Sequence, residues 1–160
     1  MDTHILLRRI RLCIWIMITG LLLSGITAFP LEMELDLLKE HLSITNPFYH
    51  WINTIDNALK ITNQQFPYLA YGTDWLAFAH IVIAVVFIGP LKDPVKNIWV
   101  IEFGMIACIM IFPLAFIAGA VRSIPIYWRL IDCSFGIIGF FPLYYCRSSI
   151  LKLSDTYSKR

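Results

Sequence analysis

Two ionisable side chains, Asp74 and His80, stand within an apolar stretch that is long enough to approach a membrane crossing. The stretch runs from Tyr71 to Pro90 and reads YGTDWLAFAHIVIAVVFIGP. A charged residue near the centre of a transmembrane helix costs about 2.5–3.5 kcal/mol on insertion scales. Such residues persist where neighbouring helices or a water-filled cavity give them partners, so we expect the other helices to gather around this one. A carboxylate and an imidazole here could exchange a proton or bind a polar group.

A second set of polar side chains falls at the same predicted depth in a later apolar segment. Arg129 and Asp132 lie in the outer half of that segment, and Arg122 lies in the short loop before it. Aromatic residues accompany both sets, as in an interfacial aromatic belt. We therefore predict one candidate site, whose ligand-binding residues are His80, Arg122, Arg129, Asp132, Trp75 and Trp128.

The catalytic candidates within this site are His80, Asp132 and Asp74. In an enzyme His80 would be the general acid or base, Asp132 or Asp74 would orient it, and the two arginines would bind an anion. Structural packing is the competing interpretation, because Arg129 and Asp132 are three residues apart on one helix and can neutralise each other. Asp74 and His80 also point about 120° apart at 100° per residue, so they need not share a pocket.

The composition places these residues in a membrane protein. The chain has 160 residues, 58% of them hydrophobic, and a mean hydropathy of +0.69, which is too apolar for an ordinary soluble domain. A helix of about 20 apolar residues crosses the hydrocarbon layer. We predict an all-α integral membrane protein, a single domain over residues 1–160, with four transmembrane helices in a bundle. The predicted spans are residues 12–29, 73–90, 94–121 and 125–146. Thr73 and Asp93 are the predicted N-caps of the second and third spans, and Pro142 is expected to kink the fourth.

The segment between the first two spans, residues 30–67, is predicted to hold two short amphipathic helices. In the first, Leu35 and Leu38 share a stripe at helical spacing, and in the second, Asn46-Pro47 is an N-cap followed by proline at the first helical position. Both helices are too short and polar to span, so we expect them to lie on the membrane surface or to cap the bundle. Their stripes, with Trp51, should face the bilayer or the bundle, while Glu34 and Asp56 should face water.

Lys and Arg residues set the predicted orientation. Nine of the 13 fall on the side that holds both termini in a four-span topology, and four fall on the other side. Because positive charge concentrates in cytoplasmic loops, both termini should be cytoplasmic, in what we expect to be a bacterial cytoplasmic membrane. Glu102, near the start of the third span, should pair with Lys92 or Lys96 as a helix anchor.

Several kinds of site find no support in the sequence. The four cysteines form no CxxC pair and lie inside or at the ends of apolar segments, where buried hydrophobic roles are expected. A haem between two helices needs facing histidines, and only His80 lies within a span. Zinc-protease, serine-hydrolase and nucleotide-binding motifs do not occur. We therefore expect no cofactor and no metal. The net charge of +2 without a basic patch gives no reason to expect nucleic acid.

Three hypotheses of function follow. The first is a small polytopic protein with a polar, aromatic-rimmed pocket at its outer face, which binds a lipophilic or amphiphilic ligand or docks a membrane partner. The second is a membrane-embedded enzyme acting on a lipid or isoprenoid with a His/Asp acid–base pair. The third is a purely structural subunit. The lipid bilayer is the expected partner in all three, and the sequence leaves the oligomeric state open.

Overall fold

Helices make up 88% of the structure, a computed structural model that describes residues 3–158, and the described residues form no strand. Four helices are long and apolar enough to cross a membrane. They are Thr3–Thr27, Pro67–Lys92, Ile98–Val121 and Ile126–Ser158. The predicted all-α class and the number of candidate spans are therefore confirmed.

The described chain forms eight α-helices and two short segments of other helical type. The α-helices are α1 (Thr3–Thr27), α2 (Leu31–His41), α3 (Pro47–Gln65), α4 (Ala70–Val86), α5 (Ile88–Lys92), α6 (Ile98–Pro113), α7 (Gly119–Val121) and α8 (Ile126–Ser158). A 3₁₀ turn, Pro67–Leu69, precedes α4, and a π-helical segment, Leu114–Ala118, connects α6 to α7.

The first and the last helix of the chain, α1 and α8, extend beyond their predicted limits. The head predicted to precede the first span is helical from Thr3, and α8 runs on past the predicted end at residue 146 as far as Ser158. Cys146, Ile150 and Leu153 are all buried and recur at i, i+4 and i+7. This repeat continues the packed face of α8 without a glycine or proline to stop it.

The helix start signals had mixed outcomes. The predicted start at Asn46 is confirmed, because its Oδ1 accepts a hydrogen bond of 2.9 Å from the backbone N–H of Phe48. The predicted N-cap at Thr73 is wrong, since the 3₁₀ turn starting at Pro67 leads directly into α4. Asp93 caps a turn rather than a helix, by accepting from the N–H of Lys96 at 3.1 Å, and α6 begins only at Ile98.

Prolines within the spans have different effects. α8 is continuous through Pro142, and the kink at this residue stays a prediction. A π-helical segment begins directly after Pro113. Proline has no N–H to donate, so the normal helical hydrogen-bond pattern is interrupted at this point.

The chain divides into two compact units, and the first comprises residues 3–19 and 84–158. Its main packing joins α6 to α8. A Cβ on Gly136 would lie 2.7 Å from the carbonyl oxygen of Cys108, so the two helices approach too closely there for any side chain. Cys146, one of four unpaired and buried cysteines among the described residues, has its Sγ 3.9 Å from the carbonyl oxygen of Ile10.

The second unit comprises residues 20–83. In it α2 and α3 form an antiparallel hairpin that links the end of α1 to the start of α4. A Cβ on Gly25 would lie 2.8 Å from the carbonyl oxygen of Ala77, so the last turns of α1 pack closely against α4. The short connections, residues 28–30 and the turn at Pro67–Leu69, keep the hairpin next to both helix ends.

Candidate functional site

The predicted site residues belong to different units. Asp74, Trp75 and His80 lie on α4 in the second unit. Trp128, Arg129 and Asp132 lie on α8 in the first unit, and Arg122 follows α7 in the same unit. A meeting of the two sets remains a prediction.

On α4 the half-buried imidazole of His80 is fixed by its own helix. Its Nδ1 lies 2.8 Å from the carbonyl oxygen of Leu76. A carbonyl only accepts hydrogen bonds, so Nδ1 carries the proton and the Nε2 of a neutral ring is the acceptor. Trp75 is 56% exposed and makes edge-to-face contacts with Tyr71 and Phe78, so it belongs to an outward aromatic stripe.

In the first unit Arg129 stabilises the turn between α7 and α8. Its Nε donates to the carbonyl oxygen of Ile124 at 2.6 Å, and its side chain crosses Gly119, where a Cβ would lie 2.9 Å from its Cδ. The turn contains Ser123 with φ 56°, a left-handed conformation that needs such support. No ion pair joins Arg129 to Asp132 within residues 3–158, so the competing interpretation, in which the two neutralise each other, finds no support in this contact.

Glu102 has an ion-pair partner other than the predicted ones. The Nε of Arg147 on α8 lies 2.8 Å from its Oε1, whereas Lys96 pairs with Asp93 at 3.6 Å. Glu102 is one turn inside α6, and the packing of α6 on α8 presents Arg147 to it. The predicted role of a salt-bridged helix anchor is retained, but the anchor joins two helices rather than one helix and its preceding loop.

A cavity of about 280 Å³ lies in the second unit, and it includes one of the predicted residues, Asp74. Its wall comes from the α1–α2 connection, the last turns of α3 and the first turns of α4. The lining residues are Ala28, Phe29, Pro30, Leu31, Glu32, Met33, Leu59, Asn63, Ala70, Thr73 and Asp74. Apolar side chains therefore share this cavity with two carboxylates, an amide and a hydroxyl.

The polar lining is brought together by three helices. Glu32 lies in the first turn of α2, Asn63 in the last turn of α3, and Asp74 in the second turn of α4. The Nδ2 of Asn63 donates a hydrogen bond to the carboxylate of Glu32, and its enclosed Oδ1 has no hydrogen-bond partner within the described chain. Sequence reasoning missed Glu32 and Asn63, because their neighbourhood depends on the antiparallel pairing of α2 with α3.

A second set of charges stabilises the hairpin that carries these residues. Asp56 is buried, with 1% exposure, and its carboxylate accepts hydrogen bonds from Lys39 and Lys60. Asp36 completes the arrangement, with the Nζ atoms of Lys60 and Lys39 at 2.6 and 3.0 Å. The expectation that Asp56 faces water is therefore wrong, because two lysines compensate its charge between the helices.

These contacts shift the pKa values of Asp36, Lys39 and Lys60. Hydrogen bonds from Lys60 and then from Lys39 hold the pKa of Asp36 below its ordinary value. The pKa of Lys39 is raised by its hydrogen bonds to Asp56 and then to Asp36, and the pKa of Lys60 by those to Asp36 and then to Asp56. Both lysines are thus occupied by two aspartates, and neither lines the cavity beside them.

A shallower groove of about 230 Å³ lies between α6 and α8 in the first unit. Its lining is apolar and consists of Cys108, Ile109, Phe112, Gly136, Ile137, Phe140 and Phe141. The groove contains none of the predicted polar residues. It offers van der Waals contact and no hydrogen-bonding group from a side chain.

Neither unit offers a preformed metal site. Within residues 3–158 no group of three or more His, Cys, Asp or Glu side chains is placed to hold a metal ion. The cavity around Asp74 combines one predicted site residue with an apolar wall and further polar groups, those of Glu32, Asn63 and Thr73. Compared with known proteins, the chain matches no family model, no curated protein and no solved structure.

Proposed function

We propose that this chain is a multi-pass membrane protein that binds an amphiphilic molecule in the cavity around Asp74. The observation that carries this proposal is the mixed wall of the cavity, with Phe29, Leu31 and Leu59 on one hand and Glu32, Asn63 and Asp74 on the other. Ligand pockets are typically apolar concavities with a few polar groups that orient the ligand. A volume of about 280 Å³ suits the head and the first part of a chain rather than a whole lipid.

The surfaces of the four candidate spans support a membrane location. Between 17% and 28% of the residues in their most apolar windows are buried within the protein. The rest would expose large apolar side chains to water, as at Leu114, Ile138 and Phe141, which are each about two-thirds exposed. Burial of a CH₂ group in hydrocarbon gains about 0.8 kcal/mol, so lipid is the favourable surrounding for these helices.

Within this proposal the helices form a bundle with both termini on the cytoplasmic side of a bacterial cytoplasmic membrane. The α2–α3 hairpin then lies at the outer surface, and the cavity opens at the outer interface, where amphiphiles have their headgroups. The excess of Lys and Arg on the side of the termini supports this orientation. In a variant without the native cysteines, Thr45→Cys should react with an impermeant maleimide in intact cells, and Lys92→Cys should react only after permeabilisation.

Photoaffinity labelling tests the binding site itself. Three twelve-carbon probes with the same diazirine on the chain, an amine, an alcohol and a carboxylate, are offered to the protein in phosphatidylcholine nanodiscs. At least one probe should label the peptides that contain residues 28–33 or 59–74. Ala70→Phe fills the cavity from its wall and should abolish that labelling.

Ala58→Phe is the matched control, because Ala58 is exposed on α3 and lies outside the cavity. The probes should label Ala58→Phe to the same extent as the unmodified protein. Circular dichroism melting shows whether Ala70→Phe remains folded, and Ala28→Leu gives a second, smaller obstruction of the same cavity. Equal labelling of the unmodified protein and both obstructed variants by every probe would contradict the proposed function.

A further inference from the structure

We infer that the head of the bound amphiphile is an organic ammonium group. This inference rests on the proposed function and assigns its ligand class. The cavity is lined by two carboxylates, those of Glu32 and Asp74, and by no lysine, arginine or histidine. A wall of this charge favours a cationic head and disfavours an anionic one.

The charges of the hairpin explain why these carboxylates lack a cationic partner. Lys39 and Lys60 are the nearest bases along α2 and α3, and both are held by Asp36 and Asp56. Two positive and two negative charges thus compensate each other beside the cavity. Among residues 3–158, the carboxylate of Glu32 accepts a hydrogen bond only from the amide of Asn63.

The negative charge of Asp74 is less compensated than that of Glu32. Within the described chain its carboxylate takes part in no hydrogen bond and no ion pair, although the residue is half-buried on α4. A half-buried carboxylate without a cation or a hydrogen-bond donor beside it is stabilised by a ligand that brings both. An ammonium group supplies both the charge and the N–H donors that such a site lacks.

The amide of Asn63 adds a preference for a donor over an acceptor. Its Nδ2 is already used by Glu32, while its Oδ1 is enclosed without a partner among residues 3–158. This oxygen has almost no accessible surface, so a ligand N–H satisfies it only after the Asn63 side chain turns towards the cavity, whereas a ligand carboxylate or carbonyl gains nothing from it. The charge and the hydrogen-bonding capacity of the cavity therefore point to the same kind of head.

The ranking of the three photoprobes tests the inference. The twelve-carbon amine should label the cavity peptides at a concentration at least about tenfold lower than the alcohol, which corresponds to about 1.4 kcal/mol. The carboxylate should label them least. In Asp74→Asn the concentrations at which the amine and the alcohol label the cavity peptides should differ by no more than about twofold. Glu32→Gln should reduce the difference between the two probes as well.

Glu40→Gln is the matched control, because Glu40 is an exposed carboxylate on α2 that does not line the cavity. It should leave the ranking unchanged. Two competitors then distinguish the sources of the ammonium head. Displacement of the amine probe by phosphatidylethanolamine in the nanodisc indicates a lipid headgroup, whereas displacement by added dodecylamine alone indicates a free amphiphilic amine.

The outcomes separate this inference from the proposed function. Labelling that Ala70→Phe abolishes, with the alcohol or the carboxylate as effective as the amine, would overturn the ammonium assignment and leave the binding site in place. An unchanged ranking in Asp74→Asn would overturn it as well. If none of the cavity variants changes the labelling, both the ammonium assignment and the proposed binding site are overturned.

Discussion

The Nζ atom of Lys60 on α3 lies 2.6 Å from the Oδ1 of Asp36 on α2, and the same lysine contacts the buried Asp56 one turn earlier on its own helix. Lys39 mirrors this arrangement by contacting both aspartates from α2. Four alternating charges thus join the two helices. The hairpin in turn positions Glu32 and Asn63 at the cavity.

Removing one of these charges should loosen the hairpin. Asp56→Leu leaves the half-exposed Asp36 to compensate both Lys39 and Lys60, so amide hydrogen exchange in α2 and α3 should accelerate on the order of tenfold. The double variant Lys39→Met/Asp56→Leu removes one charge of each sign and should exchange more slowly than the single variant. Glu40→Gln, an exposed change on α2, should leave exchange unaltered. Unchanged exchange in Asp56→Leu would show that the charges do not hold the helices together.

The same contacts predict the pH range of the hairpin. The pKa of Asp36 is lowered in the folded state, so its contribution is present above its ordinary value of 3.8 and is lost as the pH falls through the lower folded value. The pKa values of Lys39 and Lys60 are raised, so their contribution is present below 10.5 and is lost as the pH rises through the higher folded values. Tryptophan fluorescence of a variant that keeps only Trp51 should therefore stay constant between these limits and change outside them. A transition centred near neutral pH would contradict this account.

The ion pair between Glu102 and Arg147 should be measurable as a coupling between helices. Their side chains are 42% and 38% exposed, so the coupling free energy from a double-mutant cycle with Glu102→Gln and Arg147→Gln should be about 0.2–1 kcal/mol. The matched cycle with Glu102→Gln and Lys92→Gln should give no coupling, because Lys92 makes no ion pair with Glu102 in the described chain. Thermal unfolding in nanodiscs provides the free energies. A larger coupling to Lys92 than to Arg147 would restore the pairing suggested by sequence proximity.

The crossing of α6 and α8 should not tolerate a methyl group at its closest point. Gly136→Ala would place a Cβ 2.7 Å from a backbone oxygen of Cys108, which cannot move without the helix. We expect a loss of stability of about 1–3 kcal/mol, as in other overpacked interiors. Gly20→Ala is the control, because no atom lies within 4 Å of its Cβ position, and it should stabilise α1 by up to about 1 kcal/mol. Equal melting temperatures of Gly136→Ala and Gly20→Ala would mean that α6 and α8 can move apart to admit the methyl group at little cost.

The sequence predicted those features that depend on local pattern. Runs of apolar residues identified the four candidate spans, and Asn46-Pro47 identified the start of α3, since both signals are contained within a few turns of chain. Asp74 was singled out because a carboxylate in an apolar run is costly, and it lines the cavity. Prediction from local sequence failed where two possible helix starts lie close together, as at the start of α4. Thr73 is a good N-cap, yet the proline at the start of the preceding 3₁₀ turn sets the helix start.

Features that depend on packing between helices were not predictable in the same way. The lysines closest to Glu102 in sequence are not its partners, because the contact of α6 with α8 brings Arg147 to it. Asp56 lies four residues after the buried Ile52, so helical spacing places it on the packed side of α3, but spacing does not show that Lys39 of α2 compensates its charge there. The amide of Asn63 reaches Glu32 only because α2 and α3 run antiparallel. Each of these contacts depends on how two helices are placed relative to each other. Residue spacing within one helix does not give that placement.

Native mass spectrometry of the protein released from its own membrane tests the central claim most directly. The unmodified protein and Ala58→Phe should both carry a bound small molecule that dissociates as an amphiphile. Ala70→Phe, with the cavity filled, should be released without it. The same bound mass on all three proteins, or on none of them, would contradict the account of the cavity around Asp74 as a binding site.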